Sequence, residues 1–169
     1  MTKPPDTVRI ALTCADGTLA LMTFVTHEYR ADGRIAWSQD TAPETVAAEI
    51  ARASLSFDPE KVPVVGWRFV DLGDIPEDRT YRNAWRDRSG QIVHDMVHAR
   101  VLHRDLLREW RAPRLAELDT AYLRADETNN EALKAQIAQE KRQLRDMPTD
   151  PRIEAAQTIE ELKALLPNG

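Results

Sequence analysis

What the chain has little of narrows its function first. It carries one cysteine, Cys14, so it can form no internal disulfide and no cysteine-based zinc site. Cys14 falls in an apolar strand pattern, where an inert buried thiol is expected. No apolar run is long enough to span a bilayer. Residues 1–7 are polar and lack the apolar stretch of a secretory signal. The expectation is a soluble protein made in a reducing compartment, with no membrane partner. Basic excess is also missing. Twenty-three Lys and Arg face 28 Asp and Glu, for a net charge of -5 and a pI near 5.4. The arginines between Arg79 and Arg114 are interleaved with acids, whereas a phosphate-binding surface gathers unopposed cations, so no nucleic-acid partner is expected. Gly66, Gly73 and Gly90 are scattered and cannot form a phosphate-cradling loop. None of Ser38, Ser54, Ser56 and Ser89 stands in a nucleophile-elbow context.

What remains is a chain of 169 residues that is 42% hydrophobic and 30% charged, with a mean hydropathy of -0.52. That balance suits a small core carrying long, solvated helices. Val8, Ile10, Leu12 and Cys14 alternate with Arg9, Ala11 and Thr13, the period-two pattern of a half-buried strand. Asp16-Gly17 then marks a hairpin turn into a second strand over residues 18–25, because glycine takes the positive φ that such turns require. Asp32-Gly33 is a second such signal, leading into Arg34–Trp37. Thr41 and Glu44 have capping-box spacing, with Pro43 in the first turn, so a helix is expected over residues 41–54. Val46, Ala47, Ile50 and Ala51 form its apolar face. Residues 62–70 are β-rich, with Gly66 marking a bulge or a close backbone approach.

Residues 71–90 form a stretch dense in charge. Within it Tyr81 and Trp85 stand four apart, a spacing that places both rings on one face of a helical turn. Ile92 and Val93 suggest a short strand. Asp95 is a good N-cap for a long helix. Ala99, Leu102, Leu106 and Trp110 recur at helical spacing, and Leu115, Leu118, Tyr122 and Ala125 continue the stripe in a shifted phase. The shift coincides with Pro113, which lacks a backbone donor, so a kink or a joint between two helices is expected there. Thr128-Asn129-Asn130 breaks the pattern. Leu133, Ile137, Leu144 and Met147 then mark a second helix ending at Pro148. So short a turn predicts an antiparallel αα-hairpin, packed in the manner of a coiled coil. Asp150-Pro151 opens a short turn of helix. Thr158 with Glu161 repeats the capping-box spacing before Leu162, Leu165 and Leu166, predicting a small docking helix.

Candidate chemistry is sparse. His94, His98 and His103 cluster in sequence, and His94 and His98 would share a face if the helix began early enough to hold a metal. Asp95 as the cap places His94 outside that helix, and no glutamate stands where a metalloprotease helix requires one. Solvated or partly packed histidines are the simpler expectation. The carboxylates Asp71, Asp74, Glu77 and Asp78 lie in a charged linker and not in a cleft that would push their pKa values apart. Cys14 has no local partner to activate it. No catalytic residue, cofactor or metal is therefore expected. Trp, Tyr and Arg dominate binding hot spots, and the candidate contact residues are Tyr81, Trp85, Leu106, Trp110, Leu118, Tyr122 and Ile137. A two-helix hairpin is marginal alone and becomes stable by packing on a domain, on another copy or on a partner. An interaction or assembly role is the resulting expectation, with self-association through Leu106, Trp110, Leu118 and Ile137 as one form of it.

Three short segments carry a resemblance. Lys141-Arg142-Gln143-Leu144-Arg145-Asp146-Met147-Pro148 resembles the helix ending of tail accessory and tail-fibre assembly proteins of tailed bacteriophages. Thr158-Ile159-Glu160-Glu161-Leu162 is similar to a terminal segment of phage and prophage proteins. Arg79-Thr80-Tyr81-Arg82-Asn83-Ala84-Trp85, ahead of a long charged helix, is similar to prophage proteins of the same type. The resemblance spans about half the chain and implies a phage tail-associated protein, either a structural subunit or an assembly factor. Its partners would be tail or tail-fibre proteins. Its location would be the host cytoplasm during assembly, with the virion as a second site. The helices are longer than in the fibre-assembly pattern, and the closing Trp-Pro is missing. Other expectations to hold beside it are a regulatory module that inhibits a host protein and, from the histidines, a metal-dependent enzyme. The fold class expected is α+β: a small domain over residues 1–71, a charged connector over 72–94, a helical hairpin over 95–147 and a C-terminal docking helix within 148–169.

Overall fold

A computed structural model describes residues 7–25 and 63–167, and among them five strands and four helices. The fold is α+β, a small antiparallel sheet followed by a long helix and further helices. The chain divides between His94 and Asp95 into two units. The Asp32-Gly33 turn, the Arg34–Trp37 strand and the helix expected over residues 41–54 lie outside the described residues.

In the first unit, β1 (Thr7–Cys14) is the central strand, flanked antiparallel by β2 (Leu19–Val25) and β3 (Val64–Val70). The Asp16-Gly17 turn forms as expected, with Gly17 at φ 80 and Asp16 Oδ1 accepting from the Thr18 amide at 2.8 Å. Register shifts where β3 pairs with Thr13 and Cys14, which makes Val65, beside Gly66, the extra residue of a bulge. A Cβ on Gly66 would meet nothing within 4 Å, so a bulge and not a close approach accounts for this position.

Alternation sends Ile10 and Leu12 to one face and Ala11 to the other. Ile10 and Leu12 pack with Met22, Val64 and Trp67. On the opposite face Ala11 and Val70 pack with Ile75, Trp85 and Ile92. The last two come from β4 (Trp85–Arg88) and β5 (Gln91–His94), an antiparallel hairpin. Ser89 and Gly90 both have positive φ, 52 and 83, as two-residue turns matched to strand twist require. Arg68 on β3 reaches Asp87 on β4 at 2.5 Å. Residues 72–94, expected as a connector, therefore belong to the first unit and supply part of its core. Tyr81 and Trp85 do not share a helical turn either. A 3-10 turn over Arg82–Ala84 separates them, and Trp85 opens β4. The Ser89-Gly90 turn wins over four-residue spacing because it fixes the pairing of both flanking segments.

In the second unit, α1 (Met96–Glu127) starts where Asp95 accepts the His98 amide at 3.1 Å. At 1.5 Å per residue it is about 48 Å long. It runs unbroken through Pro113, so the expected joint between two helices is absent. Proline removes one hydrogen bond, while Arg111 and Arg114 on either side both anchor α1 to the second helix, α2 (Glu131–Asp146). The buried stripe also differs from the one expected. Ala99, His103 and Leu107 are buried, whereas Leu102 and Leu106 are half-buried and Trp110 is 43% exposed. A polar residue at the centre of the true stripe shifted the apparent one by a residue, about 100° around the helix.

The two helices meet in a compact turn. Asn130 N donates to Ala125 O at 2.8 Å and Asn129 N to Asp126 O at 2.9 Å, the paired bonds that close a helix when the next residue is left-handed. Asn129 is that residue, at φ 54. Asn130 then caps α2 by accepting the Leu133 amide at 3.1 Å. After a 3-10 turn at Met147–Thr149, α3 (Pro151–Ala155) and α4 (Ile159–Lys163) both pack on α1. Ile153, Ala156, Ile159 and Leu162 are buried. Thr158 accepts the Glu161 amide at 3.2 Å, as the capping spacing predicts, and Arg100 Nη2 donates to Ala156 O at 2.7 Å.

Candidate interaction site

The hairpin seam is built from residues seven apart: Leu118 and Ala125 on α1, Ile137 and Leu144 on α2. That period keeps one face of each helix on its neighbour. Ion pairs run beside the seam. Lys134 Nζ lies 2.6 Å from Asp126, Arg114 Nη2 lies 2.8 Å from Glu140, and Lys141 pairs with Asp119. From Asp119–Lys141 to Asp126–Lys134 the position rises along α1 and falls along α2, as it does for helices that run antiparallel. Hydrogen bonds to Asp126 and Glu131 raise the pKa of Lys134, and those to Glu140 and Glu117 raise that of Arg114.

Tyr122 lies between two ammonium groups. Lys134 Nζ is 5.8 Å and Lys141 Nζ 5.4 Å from its ring centroid. Such contacts stabilise by roughly 0.5–1 kcal/mol at exposed sites. The same ammonium groups reach the carboxylates of Asp126 and Asp119. Beyond Lys141 a half-open groove of about 330 Å³ is lined by Tyr122, Ala138, Lys141, Arg142, Arg145 and Asp146. Asp119 engages Lys141. Arg142 and Arg145 are exposed, and neither guanidinium takes part in an ion pair among the described residues.

The end of α2 is held from α1. Pro148 cannot donate to the carbonyl of Leu144, four residues earlier. Arg111 Nη1 donates to it instead, at 3.1 Å, and to the carbonyl of Arg145 at 2.5 Å. A cation at a helix C-terminus also opposes the helix dipole. The Leu144–Pro148 segment thus serves as a helix ending, with Leu144 and Pro148 buried.

The seven expected contact residues separate by burial. Tyr81 is 1% exposed, Trp85 3%, Leu118 6% and Ile137 4%, so these four sit inside the protein and offer no surface. Leu106 and Tyr122 are half-buried, and Trp110 is exposed. Burial, with the nearby charge of Asp78 adding to it, pushes the Tyr81 phenol up to about 12. The groove residues Arg142 and Arg145 were not singled out from the sequence as contacts. Their signal was the pair of Asp–Lys matches, Asp119 with Lys141 and Asp126 with Lys134, which define where α2 lies along α1.

Each histidine has its own setting. His94 Nε2 accepts from Trp85 Nε1 at 2.9 Å. His98 is half-buried on α1. His103 is fully buried, beyond the solvated or partly packed setting expected, and burial followed by the charge of Arg104 lowers its pKa. Among the described residues no group of three His, Cys, Asp or Glu is placed to hold a metal. The carboxylates of residues 71–78 make local turns: Asp74 accepts the Asp71 amide at 3.3 Å, and Asp78 accepts the Thr80 amide and hydroxyl at 2.9 and 2.7 Å. No helix among the described residues is long and apolar enough to cross a membrane. No protein family matches the chain, and no curated protein or solved structure matches it.

Proposed function

We propose that the protein acts by protein–protein contact through its helical hairpin, as a phage tail-associated structural or assembly protein. The observation that carries the contact part is the hairpin itself. Its seam, its turn and its α2 ending are satisfied within the second unit, so a partner need not complete them. Trp110, Leu123 and Leu133 stay exposed at 43%, 63% and 39%, and the groove carries two arginines with no ion pair among the described residues. A preformed arm loses little conformational freedom on binding, which suits a docking element. The tail setting is supported by the three segment resemblances, and one of them, Gln143–Pro148, coincides with the α2 ending that Arg111 secures.

Copurification tests the reading. Tagged protein expressed with neighbouring tail genes is expected to bring down a tail or fibre protein at fixed stoichiometry, and to be found in lysate complexes or in purified particles. Absence from both, with no tail or fibre protein bound, overturns it. Absence from particles together with a bound host protein favours a regulatory module instead.

A further inference from the structure

We propose that the groove at the end of α2 binds an acidic segment of a partner protein, whose carboxylates are taken by Arg142 and Arg145. This rests on the reading of the hairpin as a protein-binding element and names the chemistry of its partner. Three cations, Lys141, Arg142 and Arg145, line the groove against one carboxylate, Asp146, on a chain whose net charge is -5. A cationic notch on an acidic surface is a local reversal of sign, and such reversals steer and orient complementary partners. Lys141 is positioned by Asp119 and the Tyr122 ring. Arg142 and Arg145 stand three apart on a helix, neighbours about 5–6 Å apart. That spacing matches two carboxylates on one peptide. Arginine receives each of them with two parallel donors.

Opposing charges set the limits of the site. Asp146 lies in the groove, and Asp119 on α1 is paired with its Lys141. A nucleic-acid backbone, with charge at every step, would be driven against these carboxylates. Separate glutamates or aspartates on a peptide can avoid them. A groove of about 330 Å³ has room for one or two side chains, not for an extended polymer. The ring of Tyr122 is already faced by ammonium groups, so it serves as a wall and not as a cation cage.

The full-length protein is titrated into a fluorescein-labelled peptide of alternating Glu and Ser, followed by fluorescence anisotropy. Amide chemical shifts of the protein are recorded in parallel. The peptide is expected to bind and to shift the amides of Ala138, Lys141, Arg142 and Arg145. Binding should weaken about tenfold or more in Arg142→Glu/Arg145→Glu, and should fall as salt shortens the Debye length below about 8 Å. A Lys and Ser peptide should not bind, and an oligothymidylate should bind more weakly than the Glu peptide. The charge-reversed variant is expected to melt as wild type does, since neither guanidinium holds the fold together; Arg142→Gln/Arg145→Gln gives the same reading with less perturbation. No binding of the Glu peptide, binding by both double variants as tight as by wild type, or tighter binding of oligothymidylate overturns the proposal. Retention of a copurifying tail protein by Arg142→Glu/Arg145→Glu overturns the groove as the docking point while leaving the tail role standing. Failure of the wild type to bring down any tail protein overturns that role instead.

Discussion

The indole Nε1 of Trp85 donates to Nε2 of His94 at 2.9 Å across the first residue pair of the β4–β5 hairpin. The rings meet edge to face, with centroids 6.3 Å apart. An accepting Nε2 carries no proton, so the bond requires the neutral imidazole with its hydrogen on Nδ1. Trp85 is 3% exposed, so its N–H has little access to water. Replacing His94 by Leu strands a buried donor, at a cost of about 1–3 kcal/mol. The Trp85→Phe/His94→Leu double variant should be less destabilised than the sum of the two single variants. Denaturant unfolding of all four proteins measures the coupling, and additive losses would show that the bond contributes nothing.

Arg111 is the second test. Its guanidinium supplies donors to two carbonyls that the α2 backbone leaves open. Arg111→Met keeps much of the stem and removes both bonds, so it should destabilise the second unit by about 1–2 kcal/mol. Arg111→Lys should recover only part of this, because an ammonium lacks the planar fork. Thermal unfolding of the two variants beside the wild type gives the ranking, and equal melting temperatures would contradict it.

A third prediction concerns pH. The pKa of His103 in the folded protein lies below its ordinary value, chiefly through burial. In the unfolded chain it is about 6.5. Between those two values the unfolded state binds more protons, so stability rises with pH. The contribution is complete above about pH 6.5 and is lost as pH falls toward the lowered value. Denaturant midpoints should therefore drop on acidification from neutral pH. His103→Leu should flatten that slope, and an unchanged slope would show that another group sets it.

Pro113 gives the fourth. It sits inside an unbroken helix at an exposed position, where it denies one hydrogen bond to the carbonyl of Glu109. Pro113→Ala restores the donor and should stabilise the second unit by about 1–3 kcal/mol. Far-ultraviolet circular dichroism during denaturation would register the gain. A loss of stability would mean that the surroundings are shaped to the ring.

Local chemistry was easiest to read in the sequence. The Asp16-Gly17 turn, the Asp95 and Thr158 caps, the break at Thr128-Asn129-Asn130 and the α2 ending all depend on a few adjacent residues, and each is where those residues place it. The α+β class came from the switch between period two and helical spacing. What failed depended on distant residues. Trp85 looked like half of a helical face until its strand found a partner beyond Ser89-Gly90. The stripe on α1 was displaced because His103, a polar residue, fills the position where an apolar one was sought. Tyr81, Trp85, Leu118 and Ile137 drew attention as candidate contacts for the reason that buries them, since large apolar side chains serve cores and interfaces alike. Arg142 and Arg145 became visible only once pairing across the hairpin showed which cations were already engaged.

Asp119 and Asp126 are seven residues apart, and so are their partners Lys134 and Lys141. Sliding α2 by that interval would still leave one such pair, so these charges alone permit slippage. Tyr122 removes the ambiguity. Two helical turns rise about 10.5 Å, and the ring stands nearly midway between the two ammonium groups, 5.8 and 5.4 Å away. The tyrosine therefore acts as a vernier mark for the hairpin. Its ring-current effect on the two lysine side chains would reveal by nuclear magnetic resonance any displacement that the ion pairs themselves conceal.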